Sequence, residues 1–272
     1  MPELPEVETT CRGISPYLIN QTIKAVVIRQ HKLRCPVSPE LSTHCVGQKI
    51  ISVNRRAKYL IFKLSEGFLL NHLGMSGHLR LIDGDLAATK HDHVDLELTN
   101  GFTLRYNDPR RFGLWLYRAI NPELSRPLSH LGLEPLAQSF DGNYLLQRAK
   151  NKVQTIKSFI MTNEVVVGIG NIYATESLFL AGIHPLTPAG SLVLESFHRL
   201  ARQIKLVLQQ AIDAGGTTLR DFYASDGKPG YFSNNLLVYG RKNKSCFRCH
   251  SLIQVVSIGG RSSAFCPNCQ IL

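Results

Sequence analysis

Cys246-Phe247-Arg248-Cys249, sixteen residues, and then Cys266-Pro267-Asn268-Cys269 carry the most specific spacing in the chain. Two Cys-x2-Cys pairs at this separation are the pattern of a four-cysteine structural zinc site, each pair chelating from one tight knuckle. Between them, residues 252–258 and 262–265 read as the arms of a hairpin, with Arg261 at or near its tip, where a cation can enter a groove. Four thiolates leave no open coordination position, so the metal holds a fold and does not catalyse. His250, beside Cys249, is left out of the ligand set. A redox or iron–sulfur reading is poorer, because no cluster-binding run is present.

Upstream of the knuckles the pattern is helical. Residues 143–150, 154–161, 171–181 and 192–214 read as helices, and Gly215-Gly216 supplies a C-terminal stop for the last. The stretch Val167-Gly168-Ile169-Gly170-Asn171-Ile172-Tyr173 joins two of them. Its glycines let the backbone approach a phosphate, and Asn171 reads as an N-cap whose amide reaches the same anion. A glycine-rich turn between helices is also plain packing. Asp226 to Phe232 reads equally as a lid over a planar ligand or as an ordinary surface loop.

Residues 121–140 hold Pro122, Pro127 and Pro135 with little periodicity and read as a linker. Before it, from Thr22 to about Tyr117, short apolar and β-branched runs at 24–28, 49–53, 59–64, 68–73, 93–98 and 102–106 read as strands of a sandwich or barrel. Three insertions interrupt them. Arg55-Arg56-Ala57-Lys58 reads as a solvated connection. His91-Asp92-His93 reads as a metal pair or, more plainly, as surface residues. Asp108-Pro109-Arg110-Arg111-Phe112-Gly113 sets paired arginines beside an aromatic in a turn. That combination suits nucleic acid, since arginine reaches phosphates and bases while an apolar side chain wedges between bases.

The 272 residues suffice for two domains, and 31 Lys+Arg against 20 Asp+Glu give +11, a surplus that points to a polyanionic partner, most commonly nucleic acid. The longest apolar run, 165–169, is far too short for a membrane span, and no export signal is read. Seven cysteines, an odd number, argue for a reducing cytoplasm over a disulfide framework.

At the other end of the chain, Met1-Pro2-Glu3-Leu4-Pro5-Glu6 begins a helix whose apolar stripe is Leu4, Val7, Cys11 and Ile14. If Met1 is removed, Pro2 presents a secondary amine with a lower pKa than lysine, beside two carboxylates. Its adduct with an aldehyde-like carbon is an iminium, an electron sink. Composition alone favours the plainer account, two prolines starting a helix whose glutamates complement its dipole.

Taken together, the stretches 1–9, 55–59, 72–77, 90–93, 108–113 and 168–173 and the zinc cysteines resemble the bacterial formamidopyrimidine-DNA glycosylases end to end, and this reverses the plain account of the N-terminus. The resemblance implies an α+β protein. Its N-terminal catalytic β-sandwich (1–120) is flanked by helices. After the linker (121–140) come a helix-two-turn-helix domain (141–239) and a zinc finger (240–272) with one structural Zn2+ on Cys246, Cys249, Cys266 and Cys269. It implies a bifunctional glycosylase and AP lyase acting on damaged double-stranded DNA by base flipping. The expected enzyme is monomeric, has no membrane or obligate protein partner, and sits in the bacterial cytoplasm at the nucleoid.

By the same resemblance, Pro2 is the nucleophile and Glu3 the general acid, Lys58 serves β-elimination, Arg261 serves δ-elimination, and Glu6 supports the site. Met75, Arg110 and Phe112 match the residues that fill the void left by the flipped base. His91, Lys152, Asn171 and Tyr239 match phosphate contacts, and Asp226 to Phe232 the loop over the flipped purine. Ser158 and Leu237 depart from the pattern where proline and glutamine are frequent. The competing readings are the endonuclease VIII type, which takes oxidised pyrimidines, a non-catalytic zinc-containing DNA-binding protein, and an RNA-binding zinc ribbon.

Overall fold

Eight short strands separate into two four-stranded antiparallel sheets, because each strand has one face that must be buried against the other sheet. In the computed structural model, which describes residues 2–217 and 232–272, they are β1 (Ile23–Ile28), β2 (Ile50–Arg56), β3 (Tyr59–Leu64), β4 (Phe68–His72), β5 (His78–Asp83), β6 (Asp92–Leu98), β7 (Phe102–Asn107) and β8 (Leu114–Arg118). One sheet has the order β1-β6-β7-β5 and the other β2-β3-β4-β8. Leu60, Phe62, Leu64, Leu69 and Trp115 from the second meet Leu79, Val94, Leu96, Leu104 and Tyr106 from the first in one core. Trp115 lies against both Phe62 and Tyr106, with ring centroids 5.8 and 6.0 Å away.

Helix α1 (Leu4–Leu18) flanks this sandwich, burying Leu4, Val7, Cys11, Ile14 and Leu18 at helical spacing. A short α2 (Glu40–His44) buries Leu41. Two strands, β5 and β8, were not among the individual runs anticipated from sequence. Each is an outer strand of its sheet, bonded on one side to β7 or β4.

The chain divides by contact density into two units, residues 1–130 with 214–231, and residues 131–213 with 232–272. The first unit is thus discontinuous in sequence. The division falls inside the proline-bearing stretch 121–140: from Leu131 onward it packs with the helices, Leu133 bridging Val166 and Phe140 fully buried.

The second unit holds α3 (Gly142–Ala149), α4 (Ile156–Ile160), α5 (Asn171–Ala181), α6 (Leu194–Asp213) and the hairpin β9 (Gln254–Ile258) and β10 (Arg261–Phe265). Helix α6 is amphipathic, burying Phe197, Leu200, Ala201, Ile204, Val207, Leu208 and Ala211, whereas α5 is buried nearly all round. The zinc module rests on α5 through Phe179, which joins Val238, Cys246, Ile253, Ala264 and Cys266 in a separate small core. No described helix is long and apolar enough to cross a membrane.

Candidate active site

Chain termini are usually loose, yet Pro2 and Glu3 are buried at the head of α1. The clamp is Glu6, itself only 3% exposed. One carboxylate oxygen accepts the Glu3 N–H and the other the Thr217 N–H, each at 2.8 Å. The Gly215-Gly216 stop makes the second bond achievable: Gly216 takes φ +88°, and a Cβ there would lie 3.3 Å from Glu6 Cγ and Oε1. Met1 lies outside the described residues.

Lys58 occupies a two-residue turn with Ala57, which adopts φ 55° between the paired Arg56 and Tyr59. The solvated connection expected here is therefore narrower than read. Arg55 and Arg56 belong to β2, and Arg55 is tied down. Its Nε donates to Glu8 of α1 at 2.8 Å, and its NH1 to the Ala57 carbonyl at 2.9 Å. Burial pushes the Glu8 carboxyl up, but its bonds to Arg55 and Arg12 outweigh that and hold it below the usual range. The turn bearing Lys58 is thus fastened to the helix that begins at Pro2.

Met75, Arg110 and Phe112 sit on two loops that touch through their backbones. A Cβ on Gly74 would lie 2.4 Å from the Phe112 carbonyl carbon and from Gly113 N, so only glycine allows the approach. Met75 and Phe112 are 36% and 43% exposed, with the Arg110 guanidinium 4.9 Å from the Phe112 ring centroid.

The buried Asp108 holds this arrangement together. Its Oδ1 accepts from Ser76 Oγ (2.8 Å) and its Oδ2 from Tyr106 OH (3.0 Å) and Gly113 N–H (2.9 Å). Burial, followed by that carboxylate, pushes the Tyr106 phenol far up, so it stays a donor. His72, at the base of the Met75 loop, accepts the Gly74 N–H on Nδ1 at 2.9 Å. Burial and then Lys58 depress it to about 4, keeping that nitrogen unprotonated.

His91 is joined to the same region, its carbonyl accepting the Asp108 N–H at 3.0 Å. Its neighbours are not the surface residues anticipated. His93 is buried and donates Nε2–H to the Asp108 carbonyl at 2.8 Å. Asp92, also buried, accepts from Arg80, Asn107 and Thr89. Burial opposes its ionisation, but these bonds win and bring it to about 2.

In the second unit, Asn171 is the first residue of α5 and Gly170 is the N-cap, so the capping role read for Asn171 is corrected. Its amide is engaged: Oδ1 accepts from Lys157 Nζ at 2.6 Å, and Nδ2 donates to the Ser262 carbonyl at 3.0 Å. Buried Lys157 also donates to Ser263 Oγ at 2.6 Å. These bonds join α4 and α5 to the strand that starts at Arg261, which pairs with Ile258 across the Gly259-Gly260 bend.

Tyr239 is positioned by Glu176 of α5, whose carboxylate accepts the N–H groups of Leu237, Val238 and Tyr239 at 2.7–3.0 Å. Burial pushes that carboxyl up even against the three bonds. Lys152 is exposed on the turn after α3, where its carbonyl accepts the Gly190 N–H at 2.8 Å. Glu8, Asp108, Lys157 and Glu176 were not singled out from sequence. Each stands beside a polar residue in the sequence, so nothing local marked it out. Of the lid stretch, residues 226–231 lie outside the described residues.

The four cysteine Sγ atoms lie within 4.8 Å of one another, with Cys246–Cys269 at 4.0 Å and Cys249–Cys266 at 3.3 Å. Tetrahedral zinc at about 2.3 Å from each sulfur requires separations of roughly 3.8 Å. Both spacings are far too long for a disulfide. The donor set fits one structural zinc.

Family models match this order of modules: the formamidopyrimidine-DNA glycosylase N-terminal domain over residues 1–115, its H2TH domain over 131–223, and the zinc finger found in FPG and IleRS over 244–271. The formamidopyrimidine-DNA glycosylase of Legionella pneumophila (strain Philadelphia 1) is 56% identical over 270 residues, covering 99% of this chain and 98% of its own. A Lactococcus lactis FPG mutant solved with Fapy-dG-containing DNA superposes with TM-score 0.93 at 34% identity, covering 100% of both chains. MutM solved with DNA carrying carbocyclic 8-oxo-G gives 0.91 at 34%, again covering 100% of both. Three modules in the family's order, and identity sustained across nearly the full length, make this chain a member of the formamidopyrimidine-DNA glycosylase family.

Proposed function

We propose that this chain excises oxidised purines, 8-oxoguanine and formamidopyrimidines, from duplex DNA and then cleaves the strand at the abasic site. The observation that carries the reading is the buried Pro2-Glu3 pair, clamped by Glu6 to Thr217. An N-terminus held this firmly is pre-organised, and for a nucleophile positioning alone lowers the barrier substantially.

With Met1 removed, the Pro2 nitrogen adds to C1′ as the glycosidic bond pair leaves with the base, and Glu3 donates a proton to open the sugar. The product is a cationic iminium. It acidifies C2′, a C2′ proton is lost, and the C3′–O bond breaks to release the 3′ phosphate. A second elimination releases the 5′ phosphate, and hydrolysis of the adduct returns the free amine. Lys58 serves the first elimination and Arg261 the second. Met75, Arg110 and Phe112 fill the vacated stack, and His91, Lys152, Asn171 and Tyr239 hold phosphates. Zinc supplies the fold of the hairpin that carries Arg261. The bacterial relatives and the DNA substrate support a monomer working in the cytoplasm on the nucleoid.

The test is borohydride trapping on a duplex with one 8-oxoguanine opposite cytosine, beside a Pro2→Gly control and a thymine-glycol duplex. The expected result is a covalent adduct at the N-terminus on the purine substrate and none with the control. Trapping on thymine glycol alone would transfer the chain to the pyrimidine-specific type.

A further inference from the structure

The first zinc knuckle carries a feature that base excision does not use. Phe247 projects from it with 64% of its surface exposed, unusual for an aromatic ring on a small module. One face of the ring is occupied: the Arg241 guanidinium carbon lies 3.5 Å from the ring centroid. That guanidinium is itself fixed, donating to the Leu237 and Ser245 carbonyls. The turn beneath is pinned to the residue that precedes β9, with Asn243 N–H bonded to the Ile253 carbonyl and Ile253 N–H to the Lys244 carbonyl. The result is a ring held rigidly on a cation with its other face open.

The surroundings select the ligand. Lys242 and Lys244 are exposed on the same turn, and residues 232–272 contain five Lys or Arg and no Asp or Glu. An aromatic face bordered by cations, on a segment with no acidic side chain of its own, matches a nucleobase on a phosphate backbone, where stacking and charge act together; the nearby Glu176 carboxylate is taken up by the Leu237, Val238 and Tyr239 N–H groups. A purely apolar partner would leave the cations unanswered. We infer that Phe247, backed by Arg241, is a stacking platform for an unpaired nucleobase, a single-stranded DNA contact additional to the lesion site.

The experiment places a reporter at the ring. In a Trp115→Phe background, Phe247→Trp is titrated with a short undamaged oligothymidylate, and the stacked base should quench the indole fluorescence. Separately, Phe247→Ala should lower affinity for the same strand roughly ten-fold, the scale of one lost base–aromatic stack, with zinc content and 8-oxoguanine excision from a blunt duplex unchanged. Absence of quenching would overturn the inference, as would equal quenching by oligoglutamate, which would reduce the site to a cationic surface. Loss of blunt-duplex excision in step with single-strand affinity would also overturn it, by making Phe247 part of the lesion site. Excision is scored independently throughout, so the proposed function stands or falls on its own trapping assay.

Discussion

Glu6 puts a side chain to mechanical use: its two oxygens receive the backbone N–H groups of Glu3 and of Thr217, the latter 211 residues further along the chain. A glutamine has a single acceptor oxygen and would turn its NH2 toward the other donor. Glu6→Gln is therefore expected to lower single-turnover excision by roughly ten- to a hundred-fold, the rate equivalent of one mismatched buried bond to a charged group. Wild-type excision in that variant would show that Pro2 is positioned by something else. His72 gives a pH prediction. Its folded pKa of about 4 lies below the ordinary value of 6.5, so the unfolded chain takes up the proton first as pH falls. Stability is full above about 6.5 and declines toward 4, by up to roughly 3 kcal/mol. The acid-side fall in Tm should be shallower in His72→Gln, and parallel profiles would exclude the effect. Met75, His91, Arg110, Phe112 and Asn171 could be proposed from the sequence because they lie in short motifs. The carboxylates that aim them could not, since Ser76 lies 32 residues from Asp108 and Glu8 47 from Arg55, pairings that only the folded sandwich creates.

Among the elements, α5 was readable to its ends because a glycine bounds it on each side, Gly170 as N-cap and Gly182 in the left-handed conformation as C-cap. The strand β5 was harder. Its run His-Leu-Arg-Leu-Ile-Asp places Arg80 mid-strand, and the Arg80 to Asp92 ion pair that accommodates it joins residues on separate strands. Asn171 was misassigned by one position for a related reason. Asparagine favours caps in general, but here its amide is claimed by Lys157 and Ser262. The zinc hairpin was the most legible element, because four ligands at fixed spacing leave little freedom. It should also be the most brittle, its small core depending on the metal. Cys246→Ser is expected to lose zinc and at least ten-fold in DNA affinity while the β-sandwich keeps its near-UV signal from Trp115. A variant with full zinc content and unchanged affinity would refute the structural assignment.

At the scale of the whole molecule, +11 was legible as a polyanion partner, and it carries a quantitative expectation. If Lys58, Lys152 and Arg261 each neutralise one phosphate, log affinity falls with log salt at a slope of about −2.7, so raising salt from about 50 to about 200 mM weakens binding roughly 40-fold. Lys152→Ala should make that slope shallower by about 0.9, and an unchanged slope would remove it from the phosphate contacts. Less visible in the sequence was the discontinuity of the first unit, because a glycine pair after a long helix reads as a stop and not as a return. That return sets a timetable for biosynthesis. A ribosome makes the proline terminus first and Thr217 more than two hundred residues later, with residues 131–213 between them. At about 5–20 residues per second that interval lasts roughly 11–43 s. Throughout it the proposed nucleophile lacks its anchor, so the terminus that is made first is among the last segments of its unit to be fixed in place.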